Sequence, residues 1–345
     1  MTEKTVTFIV PAYNAESCIT KCLSSFVSNG TVSDDIEVIV VNDGSTDATE
    51  DTAAKFVSAY PEAFTLISKK NGGHGSAINR AVQAAHGRYI KVVDADDWVL
   101  TENLDGYISA LSAAEADVVI THFHTVNMLS GKRTAIASSG VTFGEIYSME
   151  KLMAAGKNAL SCCMFHGVTY RTDFYRGCGL TLSEGISYED QEYCTLPFMD
   201  VKTIMFLDLF LYEYLIGSAD QSMSDRNQVA RAWQLKKVFD NILRSYISRK
   251  ESLSRPAGKY VLYKLAETLQ NYYMTMLIRS DDRAAGRAAA AEMRRYVCEA
   301  APELDKASCA RYRIIYLLHM AGIKMRHLET LKKSPLYLWL RTAIR

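Results

Sequence analysis

Asp94-Ala95-Asp96-Asp97 is the stretch with the clearest chemistry, and it directly follows the β-rich run Tyr89-Ile90-Lys91-Val92-Val93. That arrangement puts carboxylates at the carboxyl edge of a strand, where open α/β sheets bind ligands. Carboxylates crowded at such an edge repel each other unless a cation sits between them or one takes up a proton. A hard divalent cation, Mg²⁺ or Mn²⁺, takes oxygen ligands and shares them with substrate phosphates, so a metal-held diphosphate suits this edge. The competing reading of a lone D-x-D is a solvated acidic turn that caps the following helix.

Three further loops bear on the choice. Pro11-Ala12-Tyr13-Asn14 ends the first apolar run; Tyr13 can stack on a base while loop backbone groups bond its edge, and Asn14 is also a good helix cap. Asn42-Asp43-Gly44-Ser45-Thr46-Asp47 ends the second run. Asp43 there can accept from an imide N–H or a ribose hydroxyl, whereas Ser45 and Asp47 suit a helix start. Lys69-Lys70-Asn71-Gly72-Gly73-His74-Gly75-Ser76 is glycine-rich and opens a helix, which lets backbone approach a ligand and favours phosphate. No Lys-Ser/Thr pair follows its glycines, so it is not a P-loop. A G-x-G-x-x-G after the first strand is also missing, which argues against a dinucleotide cofactor. Together the four loops read as a metal-dependent site for a nucleoside diphosphate.

The elements that must position these loops alternate. Val6–Val10, stopped by Pro11, reads as a strand, Ala15–Asn29 as a helix, Ile36–Val41 as a strand, and Thr46–Ala59 as a helix. Phe64–Ile67, then Gly75–Ala85, then Tyr89–Val93 continue the pattern, and Asp117–Thr121 adds a later strand. Such alternation predicts an α/β fold with a parallel sheet flanked by helices. From about Val229 the periodicity becomes helical, over 231–249, 259–278 and 284–300, so the expected domains are 1–225 and a helical region 226–345. The 345 residues are 48% hydrophobic and 23% charged, with 39 basic and 39 acidic side chains, which disfavours a whole-chain nucleic-acid binder. The start Met1-Thr2-Glu3-Lys4 runs into a strand without the apolar core of a secretory signal, and no apolar stretch is long enough to span a bilayer. Eight scattered cysteines without a C-x-x-C pair read as buried thiols in a reducing compartment.

Phe8-Ile9-Val10-Pro11-Ala12-Tyr13-Asn14, Val41-Asn42-Asp43-Gly44-Ser45-Thr46-Asp47 and Asp94-Ala95-Asp96-Asp97-Trp98 resemble, in order and spacing, the signature of family-2 glycosyltransferases with the GT-A fold. The resemblance covers roughly residues 5–216. It implies an inverting, non-processive enzyme that uses a nucleotide-diphosphate sugar, UDP-linked by expectation, with Mn²⁺ or Mg²⁺. It assigns Pro11, Ala12, Tyr13, Asn14, Asp43, Asn71, Gly75 and Asp94 to the donor, with Asp43 on the base and Asp94 on the ribose side. Asp96 would hold the metal that bridges the diphosphate. Leu182-Ser183-Glu184-Gly185-Ile186-Ser187-Tyr188-Glu189-Asp190 resembles the family's later acidic motif, which makes Asp190 the expected base and Glu189 the second choice. An acid-rich helix start is the other reading of that segment. His166 and the following Tyr170–Phe174 resemble the border of the acceptor site. Tyr212 and Tyr214 either line the same cleft or pack. Two departures stand out. No Gln-x-x-Arg-Trp is present, against a processive synthase, and Ile78 occupies the place before Asn79 where the family often has Arg, against a diphosphate contact from Arg80.

The segment 311–345 mixes Arg311, Arg313, Lys324, Arg326, Lys332, Lys333, Arg341 and Arg345 with leucines and Trp339. That composition suits a helix on an anionic membrane surface, or equally a helix packed on another domain or subunit. The expected location is the cytoplasm, peripheral at the inner face of the cell membrane, with a glycan, lipid-linked saccharide or wall polymer as acceptor. Two other readings stay open: a non-catalytic nucleotide-sugar-binding partner in a membrane-associated glycan assembly complex, and a nucleotidyltransferase. The second would need a lysine-bearing glycine loop after strand one, and Pro11–Asn14 is not that.

Overall fold

The computed structural model describes residues 4–217 and 225–330. The chain divides into two compact units at residues 218/219. In the first, the strands are β1 (Val6–Ala12), β2 (Ile36–Asn42), β3 (Phe64–Ser68), β4 (Tyr89–Val92), β5 (Trp98–Val99), β6 (Val118–Asn127), β7 (Arg133–Ile136), β8 (Ile146–Tyr147), β9 (Val168–Arg171) and β10 (Ile204–Ile216). Its helices are α1 (Ile19–Ser24), α2 (Thr49–Ala59), α3 (His74–Ala84), α4 (Leu104–Ala113), α5 (Met149–Ala155), α6 (Thr172–Gly177) and α7 (Asp190–Tyr193). The strands form one sheet in the order β3-β2-β1-β4-β9-β6-β10-β5, with β7 on β6 and β8 on β10.

The four-strand half β3-β2-β1-β4 is parallel. Every residue of β1, β2 and β4 is buried, which explains why they do not alternate apolar with polar: helices on both faces leave no solvent side, and even Thr7, Glu37, Asn42 and Lys91 are buried. Beyond β4 the sheet becomes mixed, because β9 runs antiparallel to both β4 and β6 while β10 returns parallel to β6. Pro11 does not stop the first strand; it lies inside β1, paired with Val41. Odd-numbered β1 residues face β4, as the bond from Val93 N–H to the Ile9 carbonyl shows, and the β4 register has ended at Ile9. The N–H that proline lacks falls on that side, past the last β1–β4 residue pair, where its loss ends the ladder and breaks no interior bond. The first helix is also shorter than its periodicity predicts, six residues in place of a run to Asn29.

The β1–β2, β3–α3 and β4–β5 loops leave the same sheet edge, and β10 delivers Tyr212 and Tyr214 beside them. Register shifts in β10 around Phe206 and Phe210 mark a bulge, a device that re-aims side chains near a site.

The second unit is helical throughout its described part: α8 (Asp225–Ala230), α9 (Ala232–Arg249), α10 (Arg255–Met274), α11 (Arg283–Ala300), α12 (Pro302–Met320) and α13 (Met325–Thr330). Ser254 caps α10 and Asp282 caps α11 through their side chains. Gly286 lets α11 close on the turn after α10, since a Cβ there would sit 2.1 Å from the Met276 carbonyl oxygen. The expectation that all eight cysteines are buried holds for Cys22, Cys162, Cys163 and Cys194, while Cys298 is exposed. No described helix is long and apolar enough to cross a membrane. The part of the basic segment at 331–345 lies outside the described residues.

Candidate active site

The β4–β5 turn carries the acids. Asp97 is buried; its carboxylate accepts from the Tyr212 hydroxyl at 2.6 Å and the Leu215 N–H at 2.7 Å. The same Tyr212 hydroxyl accepts from the Asp94 N–H at 3.0 Å, so one phenol fixes both ends of the turn. Burial and the repulsion of Asp94 and Asp96 hold Asp97 well above the usual carboxylate range. Asp96 reaches solvent, yet desolvation and the neighbouring Asp94 push it up to about 6. Asp94 moves the opposite way. Burial raises it, but the His74 imidazole more than offsets that and brings it below the ordinary value.

His74, the first residue of α3, lies between two carboxylates. Its Nε2 is 2.8 Å from Asp94 Oδ1 and its Nδ1 is 2.6 Å from Glu189 Oε1. Two carboxylate acceptors need two N–H donors, and only the imidazolium has both. Burial pulls the His74 pKa down, but Asp94 and Glu189 carry it well above the ordinary value. The glycine loop brings His74 there. Gly73 has a φ of +87°, and its N–H donates to Asp43 Oδ2 at 2.7 Å. Asp43 also accepts from the Gly72 N–H at 3.0 Å and from Lys69 Nζ at 2.6 Å. The carboxylate expected to meet a base is thus, in this structure, the organiser of the loop that positions His74.

The loop's glycines make room for the protein itself. A Cβ on Gly75 would lie 2.4 Å from the Ser183 carbonyl oxygen and 3.0 Å from Glu189 Cγ, and one on Gly73 would lie 2.9 Å from Gly185 N. The acidic segment therefore rests directly on the glycine loop, which the sequence left open between a ligand-binding loop and a flexible connection. Asn79 ties it down from α3, accepting from the Leu182 N–H at 2.9 Å and donating to the Leu182 carbonyl at 3.0 Å. Buried Glu192 accepts from the Ser183 N–H and hydroxyl. Asp190 opens α7, with its carboxylate 3.0 Å from Gln191 Nε2.

Tyr214 joins the acid groups. Burial raises its hydroxyl pKa, and Asp97, Asp94, Asp190 and Asp96 all push in the same direction. Asp96 and Asp190 thus both lie close enough to Tyr214 for their charges to act on its hydroxyl. His166 stacks on the Tyr214 ring at 3.9 Å between centroids; burial lowers its pKa to about 4, and its Nδ1 is buried without a hydrogen-bond partner. Asp94, Asp97 and His166 each offer one ligand atom, all within 4.8 Å of one another. Two carboxylates and an imidazole form a set compatible with a divalent transition-metal cation such as Mn²⁺. Asp96, the residue that the resemblance assigns to the metal, is outside that trio and borders it through Asp94.

Tyr13 is 54% exposed and free to stack, while Pro11 and Ala12, just before it, are buried. Asn14, at φ +48°, accepts from the Thr46 N–H and donates its own N–H to the Ser45 hydroxyl oxygen, so it locks the β1 and β2 loops together. Asn71 is exposed at the tip of the glycine loop. Ile78 is buried in the core, and Arg80, two residues on, is exposed.

A protein-family model described as glycosyl transferase family 2 matches residues 7–179. The chain belongs to that family. EpsJ, an uncharacterized glycosyltransferase of Bacillus subtilis, is 30% identical over 215 residues, 61% of this chain and 60% of its own length. The poly(ribitol-phosphate) beta-N-acetylglucosaminyltransferase TarS of Staphylococcus aureus is 26% identical over 282 residues, 76% of this chain and 47% of TarS. The chain therefore spans less than two thirds of these relatives. The crystal structure of TarS residues 1–349 with UDP-GlcNAc superposes with a TM-score of 0.67 over 92% of each chain at 18% identity, which establishes the GT-A fold. A mannosyltransferase of Pyrobaculum calidifontis, solved with GDP-Man and Mn²⁺, superposes with a TM-score of 0.50 at 16% identity over 93% of this chain and 87% of its own.

Within the family frame, the sequence reading missed His74, Asn79 and Glu192 as site-building residues. His74 was visible only as one member of a glycine-rich loop. Its partners are 20 and 115 residues away, and no local pattern announces them.

Proposed function

We propose that this chain is an inverting glycosyltransferase that moves a sugar from a UDP-linked donor to a hydroxyl of a glycan, lipid-linked saccharide or wall polymer. The observation that carries the reading is the His74 bridge, 2.8 Å to Asp94 and 2.6 Å to Glu189, which sets the strand-end acids beside the segment that carries Asp190. Carboxylates from a strand end and from a distant segment thus share one imidazole. The donor class is that of the TarS complex.

The uracil would stack on Tyr13 with its edge toward Asp43, and Asn71, Gly75 and Asp94 would border the ribose and diphosphate. Asp94, Asp97 and His166 would hold the cation, with Asp96 at its margin. A bound Mn²⁺ or Mg²⁺ would supply charge neutralisation for the departing diphosphate. Asp190 takes the proton of the acceptor hydroxyl, and that oxygen forms its bond to the anomeric carbon from the face opposite the diphosphate. The bond between anomeric carbon and diphosphate breaks, and its electron pair leaves with the nucleoside diphosphate. His166, stacked on Tyr214, would border the acceptor as well as the cation. Attachment to an anionic membrane through 311–345 and self-association belong to the same reading.

The test is Asp190→Asn assayed with Mn²⁺ and a panel of UDP-sugars. The variant should bind UDP within about threefold of the parent and lose transfer by about 10³-fold or more, the scale of a removed general base. Near-normal transfer would move the base elsewhere.

A further inference from the structure

We propose that His74 is a positioning residue: it fastens the donor-side carboxylate of Asp94 to the base-bearing segment at Glu189, so that the two halves of the site are held in one geometry. The proposal rests on the reading of Asp190 as base, because Glu189 is its chain neighbour.

Four observations carry it. The His74 ring spans the gap with both nitrogens, at 2.8 Å to Asp94 and 2.6 Å to Glu189. Its ring face is packed 5.7 Å from the Phe165 ring, which limits where the imidazole can swing. Glu189 is 4% exposed, and its second oxygen, Oε2, is buried without a hydrogen-bond partner. Among the described residues, His74 is thus the only counter-charge on this nearly fully buried carboxylate. Finally, the residue before Glu189 is Tyr188 at φ +73°, a backbone state that a bulky side chain rarely adopts and that its surroundings must impose. Losing His74 leaves Glu189 buried and unpaired, and a buried charge stripped of its partner relocates or pulls in water. Either response shifts the turn 188–190 and with it the Asp190 carboxylate. Asp43 sets the near end of this chain of contacts, because it holds the Gly72 and Gly73 N–H groups that lead into His74.

The experiment compares parent, His74→Ala, His74→Gln, Glu189→Gln and His74→Ala/Glu189→Gln. The first measurement is thermal unfolding without ligand, which needs no substrate. His74→Ala should lower Tm clearly, and adding Glu189→Gln should recover at least about half of that loss, because the amide removes the stranded charge. Additive losses would overturn the proposal. The second measurement uses UDP with Mn²⁺ for binding by calorimetry and UDP release from UDP-GlcNAc for turnover. His74→Ala should bind UDP within about threefold of the parent while turnover falls at least about 30-fold, with partial recovery on adding imidazole. Equal losses in binding and turnover, without imidazole recovery, would overturn it. Should His74→Ala not fold, His74→Gln keeps one donor and the side-chain bulk, and the same split applies. A parent that releases no UDP from any UDP-sugar refutes the proposed function, while the unfolding comparison still decides the His74–Glu189 coupling.

Discussion

Asp96 is the carboxyl whose charge state the fold leaves most open. Its pKa of about 6 lies above the unfolded value of 3.8, so the folded chain binds this proton more tightly than the unfolded chain does. Stability from this group is therefore full below pH 4, falls as pH rises towards 6, and stays reduced above that. Solvent at the mouth of the hollow screens part of the repulsion. Asp96→Asn should raise Tm at pH 7.5 by a few degrees in metal-free buffer and change it little at pH 4. It should also weaken the upward shift that Mn²⁺ plus UDP gives the parent. An unchanged Tm at pH 7.5 together with a full Mn²⁺ response would remove Asp96 from the metal's surroundings. The acids were legible in the sequence because two spaced aspartates after a β-rich run can only lie at a strand end. Their partners were not: Tyr212 is 115 residues from Asp97, and no spacing rule links them.

At the scale of elements, the glycine loop and the 182–189 segment behave as one layered unit. Gly75→Ala would place a methyl 2.4 Å from a backbone oxygen, a clash no rotamer relieves. It should cost roughly 1–3 kcal/mol of stability and reduce turnover more than UDP binding, as the displaced segment carries Asp190. Unaltered stability by urea unfolding would contradict the close packing. β4 holds a second test. Lys91 is fully buried, donates to the His166 and Val168 carbonyls at 2.9 and 3.3 Å, and burial pulls its pKa down to about 7. A neutral amine has two N–H groups for these two acceptors. Between pH 7 and 10 the unfolded chain binds the Lys91 proton and the folded chain does not, so stability should rise with pH by at most about 1.4 kcal/mol per unit. Lys91→Met should flatten that slope in urea unfolding at pH 7, 8 and 9, and an identical slope would place the titration elsewhere. The parallel strands were readable from mostly apolar runs without alternation. The antiparallel insertion of β9 between β4 and β6 was not, because strand order is set by long-range pairing. Pro11 misled in the same way: its tolerance inside β1 depends on where β4 ends.

Over the whole molecule, neutrality hides a division. Residues 1–218 carry 15 basic and 27 acidic side chains, and residues 219–345 carry 24 basic and 12 acidic. The acid excess belongs to the unit with the candidate active site, the basic excess to the helical unit. A basic helical unit favours anionic surfaces through counter-charge, an attraction that salt screens. Deleting 311–345 should reduce binding to phosphatidylglycerol vesicles at low salt by about tenfold or more in a sedimentation assay. Undiminished binding would place the contact outside that segment.

The central claim is that Asp96 and Asp190 serve one hollow that takes a UDP-sugar with a divalent cation. The most direct measurement is a thermal-shift series with UDP-GlcNAc and UDP-glucose, each with and without Mn²⁺, on the parent, Asp96→Ala and Asp190→Asn. The account predicts a Mn²⁺-dependent rise in Tm for the parent and Asp190→Asn and a clearly smaller rise for Asp96→Ala. No Mn²⁺-dependent rise in the parent with either sugar nucleotide, or the same rise in all three proteins, would contradict it.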